Sequence, residues 1–247
     1  MALKTILNYS PNFNPKKRTS KDIKFIIFHY TGMKKESDAI NRLTNIQSEV
    51  SSHYLIKNNG NILILVPDLY EAWHAGRSSW KNYKSLNQNS IGVEITNPGH
   101  EFGYKKFSKK QISSLLRLSK FLMKKYRISS KNILGHSDVA PQRKKDPGEK
   151  FPWKYLSRSK IGLWHTLEKQ RLIRNRGFKT SNIEKEFFFY NLFKIGYSKK
   201  FPNDFNKNRY LGEVVKAFQR RFRQELVNGK IDQECLLISE NLLKKFK

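Results

Sequence analysis

The chain has 247 residues, 38% of them hydrophobic and 13% aromatic, enough to bury one good-sized core or a core with a small appended unit. Its 49 Lys and Arg against 20 Asp and Glu give a formal net charge of +29, a field that favours polyanions such as nucleic acid, anionic lipid or anionic cell-wall polymer. A single cysteine, Cys235, excludes an intrachain disulfide, and no run reaches the roughly 18 apolar residues of a membrane helix. The basic residues are scattered along the whole chain, so a lysine-rich solvated surface explains the charge as well as a polyanionic partner does.

Residues 1–20 read as a polar lead-in, with Pro11, Pro15 and the cluster Lys16-Lys17-Arg18. No apolar signal core is visible from Met1 onward, which predicts a cytoplasmic location unless a leader has been lost. The run Lys24 to Thr31 is a short apolar stretch suited to a buried strand, and Asp38 to Val50 reads as a helix. Ser52–Ile56 and Ile62–Val66 flank Asn58-Asn59-Gly60-Asn61, a strong hairpin signal. Residues 67–89 read as a long surface loop, and Ile91–Ile95 as the next strand. Ser108 with Gln111 forms a capping-box pattern, opening a helix whose apolar face carries Ile112, Leu115, Leu116, Leu122, Met123 and Tyr126. A short strand over 132–136 and a loop from Pro141 to Pro152 follow. Strands alternating with helices predict an α/β layer architecture. From Arg171 to Ile183 periodicity weakens and basic residues dominate, which predicts a linker. Phe187–Phe193, Val214–Phe222 and Gln233–Leu243 then predict a small three-helix unit.

His29 and His136 each stand at the C-terminal end of a short apolar strand, where α/β proteins gather their sites. A lone histidine there is usually a hydrogen-bonded structural residue. Two, with Asp146 on a loop ten residues after the second, offer a catalytic zinc set that leaves the fourth position to water. Glu94 sits in an otherwise apolar strand, facing either solvent or the site as a general acid/base. Lys144 is placed to stabilise an oxyanion, although it lies in the run Arg143-Lys144-Lys145 of a chain rich in lysine.

Six segments in order carry a family resemblance. They are Phe28-His29-Tyr30-Thr31, Val50 to Ile56, Ala72-Trp73-His74-Ala75-Gly76, Ser90 to Glu94, Gly135 to Pro141, and Lys144 to Gly148. Together they resemble the type-2 N-acetylmuramoyl-L-alanine amidases, a family that includes amidase-type phage lysozymes and peptidoglycan-recognition proteins. The resemblance covers about residues 20–165 and implies a mixed central sheet flanked by helices, with one zinc ion in an open groove. By position it makes His29, His136 and Asp146 the metal ligands, Glu94 the acid/base and Lys144 the stabiliser of the tetrahedral intermediate. Some members carry Cys as the third ligand; Asp146 resembles the bacterial hydrolase branch. His74, with Trp73, resembles a groove wall that contacts substrate, while His53, His100 and His165 read as structural or surface residues.

The C-terminal unit resembles a three-helix peptidoglycan-binding domain, on Val214 to Phe222 and Gly229-Lys230-Ile231-Asp232, with Cys235 where that pattern usually has Thr. A plain helical bundle packed on the catalytic part has the same core spacing. The implied organisation is a lead-in (1–20), a zinc amidase domain (21–168), a basic linker (169–184) and a peptidoglycan-binding-like domain (185–247). The expected activity is hydrolysis of the amide between N-acetylmuramic acid and L-alanine in peptidoglycan or muropeptides, by a monomer with no specific nucleic-acid partner. The binding-like unit favours the cell envelope, against the cytoplasm suggested by the N-terminus. The rivals are a non-catalytic peptidoglycan-binding protein and, on charge alone, a nucleic-acid-binding one.

Overall fold

The sequence Phe25-Ile26-Ile27-Phe28 has no polar face, so its strand has to lie inside a sheet covered on both sides. The computed structural model describes residues 4–200 and 205–246. Its N-terminal elements are β1 (Thr5–Leu7), β2 (Phe13–Asn14), β3 (Phe25–Tyr30), α1 (Glu36–Thr44), β4 (Tyr54–Ile56), β5 (Ile62–Ile64), β6 (Glu71–Ala72), β7 (Ser79–Trp80) and β8 (Tyr83–Lys84). These lead into β9 (Ser90–Ile95), α2 (Lys109–Tyr126), β10 (Ile133–Gly135), α3 (His136–Val139) and α4 (Trp153–Ser157). The chain closes with α5 (Lys169–Asn175), α6 (Asn182–Ile195), α7 (Lys207–Phe222) and α8 (Gln233–Phe246).

Six strands form the central sheet in the order β1-β5-β4-β9-β3-β10. The strands β4, β9, β3 and β10 are mutually parallel, β5 returns antiparallel to β4 through the expected hairpin, and β1 runs parallel to β5. This is the mixed α/β sheet that the motifs implied. Gly60 takes a φ of +86° in the hairpin turn, a conformation that glycine adopts without penalty. Alternate residues of β3 serve opposite faces. Ile26 and Phe28 pack with Leu115, Leu118 and Leu122 of α2. Phe25 and Ile27 pack with Leu134, Phe188 and Phe218, so the C-terminal helices cover the second face of the sheet. The capping box of α2 is made: the Gln111 amide donates to Ser108 Oγ, and the Ser108 amide to Gln111 Oε1.

Three stretches differ from their sequence expectation. The polar lead-in supplies β1 and β2, which pair with β5 and β6; strands of two or three residues are too short to show a period. Residues 67–89 hold β6, β7 and β8 and bury Trp80 at 1% exposure, anchored by ring contact with Tyr197. The basic stretch 169–184 contains α5, which buries Leu172, and the first turn of α6. Residues 1–3 of the lead-in and 201–204 and 247 of the C-terminal unit lie outside the described residues. No helix among the described residues is long and apolar enough to cross a membrane.

A buried carboxylate ties α2 to the sheet. Asp68 accepts hydrogen bonds from Tyr54 Oη (2.6 Å), Tyr126 Oη (2.6 Å) and Lys125 Nζ (2.9 Å). Burial alone raises its pKa, but these three donors outweigh burial and hold it below the ordinary carboxylate value. Its stabilising contribution is therefore complete above the unfolded pKa of about 3.9 and is lost as pH falls through the lower folded value. Urea titration of Asp68→Ala at pH 7 is expected to show a loss of about 2–3 kcal/mol, since two buried hydroxyls lose their acceptor. The gap to the parent should shrink in acid, below the unfolded value.

Candidate active site

Strand register assembles the site. In the parallel pair β3–β9, His29 stands directly opposite Glu94, and in β10–β3, Gly135 stands opposite Phe28. The next residue of β10's chain, His136, therefore comes out beside His29. Glu94, His29 and His136 thus form a row along the C-terminal edge of three adjacent strands. The loop after α3 supplies the fourth group: the Ser137 amide donates to the Asp146 carbonyl at 2.8 Å, which turns the Asp146 side chain toward both histidines.

His29 Nδ1, His136 Nδ1 and Asp146 Oδ2 converge, with separations of 2.9, 3.0 and 3.1 Å, and all three residues are buried. The protons on the rings follow from their outer partners. His136 Nε2 lies 3.2 Å from the Ala75 carbonyl, nearer than the Arg143 guanidinium at 3.4 Å; paired with that carbonyl, which only accepts, Nε2 carries the proton and Nδ1 a lone pair. Ser90 Oγ donates to the Leu86 carbonyl and so accepts from His74 Nε2 (3.2 Å). His74 Nδ1 is then an acceptor for His29 Nε2 (3.1 Å), which leaves a lone pair on His29 Nδ1 as well. Burial above all lowers the His29 pKa to about 4, against the opposing pull of Asp146, so the ring is neutral at pH 7. Two neutral imidazoles and a carboxylate therefore aim three lone pairs at one point. Tetrahedral zinc, with bonds of about 2.0–2.1 Å, separates its ligand atoms by roughly 3.3 Å, close to the spacing seen here. The donor set fits a single cation.

Glu94 is half-buried beside this set, and its Oε2 has no hydrogen-bond partner. Burial first, then the Asp146 charge, push its pKa up to about 8, partly offset by Lys144. A carboxyl poised near neutrality next to three converging donors suits proton transfer. The five residues His29, His136, Asp146, Glu94 and Lys144 all line one open groove of about 670 Å³. Tyr30, Arg42, His100 and Phe102 also line it.

His74 touches the groove but is 6% exposed, with its ring behind His29 rather than on an open wall. It has that place because residue 92 is glycine: a Cβ there would come within 2.4 Å of the His74 ring. Trp73 is more exposed and is not among the groove-lining residues. His53 is fully buried, accepts from the Gly92 amide at 3.0 Å and meets Arg18, a structural role. His100, taken from sequence as surface or structural, lines the groove and bridges Tyr30 Oη (2.8 Å) to Glu149 (3.1 Å). Its signal was faint, since it follows Asn97-Pro98-Gly99 beyond the end of β9 rather than lying in a strand.

The family described as Amidase_2, N-acetylmuramoyl-L-alanine amidase, matches residues 19–149. The chain belongs to that family. It is 35% identical to the N-acetylmuramoyl-L-alanine amidase AmiD of Escherichia coli (strain K12), over 91% of this chain and 83% of that one. A structure of E. coli AmiD in complex with the substrate anhydro-N-acetylmuramic acid-L-Ala-D-gamma-Glu-L-Lys superposes with a TM-score of 0.77 at 36% identity, covering 91% of this chain and 90% of AmiD. AMPDH3 of Pseudomonas aeruginosa, in complex with anhydromuramic pentapeptide, superposes at 0.78 with 30% identity and 94% coverage of both chains. The amidase fold and activity implied by the six motifs are thus those of this chain.

The Gly92→Ala variant isolates the ring relay behind the three converging donors. It should displace His74, break its bond to His29 and weaken metal retention by about tenfold. Metal content after dialysis against a graded chelator, with circular dichroism as the folding control, reads this directly.

Proposed function

We propose that this amidase hydrolyses the amide joining the lactyl group of N-acetylmuramic acid to L-alanine, with one zinc ion held by His29, His136 and Asp146. The observation that carries the proposal is the convergence of two Nδ1 lone pairs and one carboxylate oxygen, 2.9–3.1 Å apart, beside an unpartnered Glu94 oxygen. The zinc ion, when bound, supplies Lewis acidity toward the amide carbonyl and lowers the pKa of water. Glu94 takes a proton from the attacking water as the new C–O bond forms. It later gives that proton to the L-alanine nitrogen as the C–N bond breaks, and water's second proton leaves the new lactyl acid, so the products at neutral pH are a lactyl carboxylate and the protonated amine of L-alanine. The Lys144 ammonium offsets negative charge on the carbonyl oxygen between these steps. Tyr30 and His100, linked to each other, give the groove a polar wall against which the peptide rests.

Anhydro-muropeptides are the substrate class favoured by likeness to AmiD and AMPDH3, whose complexes contain anhydromuramic peptides. The C-terminal unit is proposed to hold longer wall fragments. A second groove, between α6, α7 and the loop before α8, carries Lys179, Lys185 and Lys230 around Phe189 and Leu211, a surface suited to a carboxylate-bearing polymer. Replacing all three lysines with Ala should reduce co-sedimentation with insoluble sacculi while leaving cleavage of small muropeptides intact.

The central test is mass spectrometry of an anhydro-muropeptide digest. Chelation should abolish release of the free peptide and added zinc should restore it. Glu94→Ala should lower the rate about 10²–10⁴-fold with zinc retained. Because Glu94 acts as a base only when ionised, the parent rate should rise with pH through its pKa. Burial sets that pKa high and a bound cation draws it down. Parental turnover in Glu94→Ala would overturn its assignment.

A further inference from the structure

The helical turn that starts with His136 is only four residues long, His136–Val139, too short to hold its own shape. What holds it is Asp138, two residues beyond the histidine and 1% exposed. Its Oδ2 accepts from the Gly135 amide (2.8 Å), which closes the turn on itself. The remaining donors come from the C-terminal helices. Tyr197 Oη, just after α6, donates to Asp138 Oδ1 at 2.8 Å across 59 residues of sequence. Arg221 of α7 donates from Nη1 to Asp138 Oδ2 across 83 residues, and from Nη2 to the Ile133 carbonyl of β10 at 2.9 Å. The Arg221 side chain is 4% exposed, and its guanidinium lies 4.3 Å from the ring centre of Trp153. One planar cation thus grips both the strand before His136 and the turn that carries it, a two-point hold that a lysine could not reproduce.

We propose that Arg221 and Tyr197 are positioning residues for the metal site: through Asp138 they fix the backbone of His136, so the C-terminal helices are a working part of the zinc centre as well as a covering layer. The proposal rests on the zinc reading given above. Neither residue lines the groove, so their effect runs through metal affinity and the metal-dependent rate, not through contact with the peptide. The Ala75 carbonyl fixes only the far nitrogen of the His136 ring. If the turn shifts, that bond cannot keep Nδ1 on target.

The test uses the full chain and measures zinc affinity by competition with a chromogenic chelator, beside kcat and KM on an anhydro-muropeptide. Arg221→Gln and the milder Tyr197→Phe should each weaken zinc binding, by about 10–100-fold and by less, respectively. At limiting zinc kcat should fall, with KM unchanged and excess zinc restoring much of the rate. Leu242→Ala, in the same C-terminal hydrophobic cluster but not among the hydrogen-bond partners of Asp138, is the stability control. It should lower the melting temperature while leaving zinc affinity at the parent value. The proposal is overturned if folded Arg221→Gln binds zinc as the parent does. It is equally overturned if Leu242→Ala weakens zinc as much as the Asp138 partners do. Should Arg221→Gln fail to fold, Tyr197→Phe decides alone, parental affinity there counting against the proposal. A parent that binds no zinc removes the zinc reading and this one together. A parent that binds zinc but releases no peptide removes only the proposed substrate.

Discussion

Two imidazole nitrogens and a carboxylate oxygen that all present lone pairs across 2.9–3.1 Å repel one another unless a cation lies among them. The polar groups packed behind the two rings hold those atoms in that unfavourable relation. Each ligand ring is pinned from its far side, His136 by the Ala75 carbonyl and His29 by the relay through His74 and Ser90 to the Leu86 carbonyl. Fixing the outer N–H fixes the tautomer, and the tautomer decides whether the inner nitrogen can bind a metal at all. The cation that this geometry calls for would relieve the repulsion, so metal binding and local stability are linked.

The same constraint explains why small residues stand where they do. Gly92, in the middle of a strand, gives up side-chain packing so that His74 can approach the sheet closely behind His29. Gly135 plays a similar part before His136, where a Cβ would come within 2.7 Å of Pro147 in the loop that delivers Asp146. Both positions trade strand propensity for close approach to the donor set. The two faces of the sheet then act together: α2 packs one face, and the C-terminal helices pack the other and reach Asp138 beside the edge strand β10.

The row of Glu94, His29 and His136 was legible because each interrupts, or immediately follows, an apolar strand, and a charged or polar side chain there is conspicuous. Asp146 was visible only through its spacing and through the family motif. The partners behind them left almost no trace. His74 lies in a loop of mixed composition, and nothing local says that its ring fills the space left by a glycine eighteen residues later. Arg221 is one of 49 basic residues, and its hydrogen bond to Asp138 spans 83 positions, so no periodicity marks it out from the solvated ones. The strand β1 escaped notice for a different reason: three residues at a sheet edge gain their pairing from β5 rather than from their own pattern.

That ratio of buried to solvated cations also bears on what the +29 charge does. Arg221 and Arg223 are spent inside the C-terminal helices on Asp138 and Asp232, where they hold structure and attract nothing. Arg18 is likewise drawn inward, its pKa lowered to about 10 chiefly by burial. Most of the remaining cations face water, and at physiological salt their field fades over about 8 Å. Such a field draws anions of any kind toward the surface without choosing among them. Selection of one amide bond then falls to contacts within the groove, which Glu94, His29, His136 and Asp146 all line.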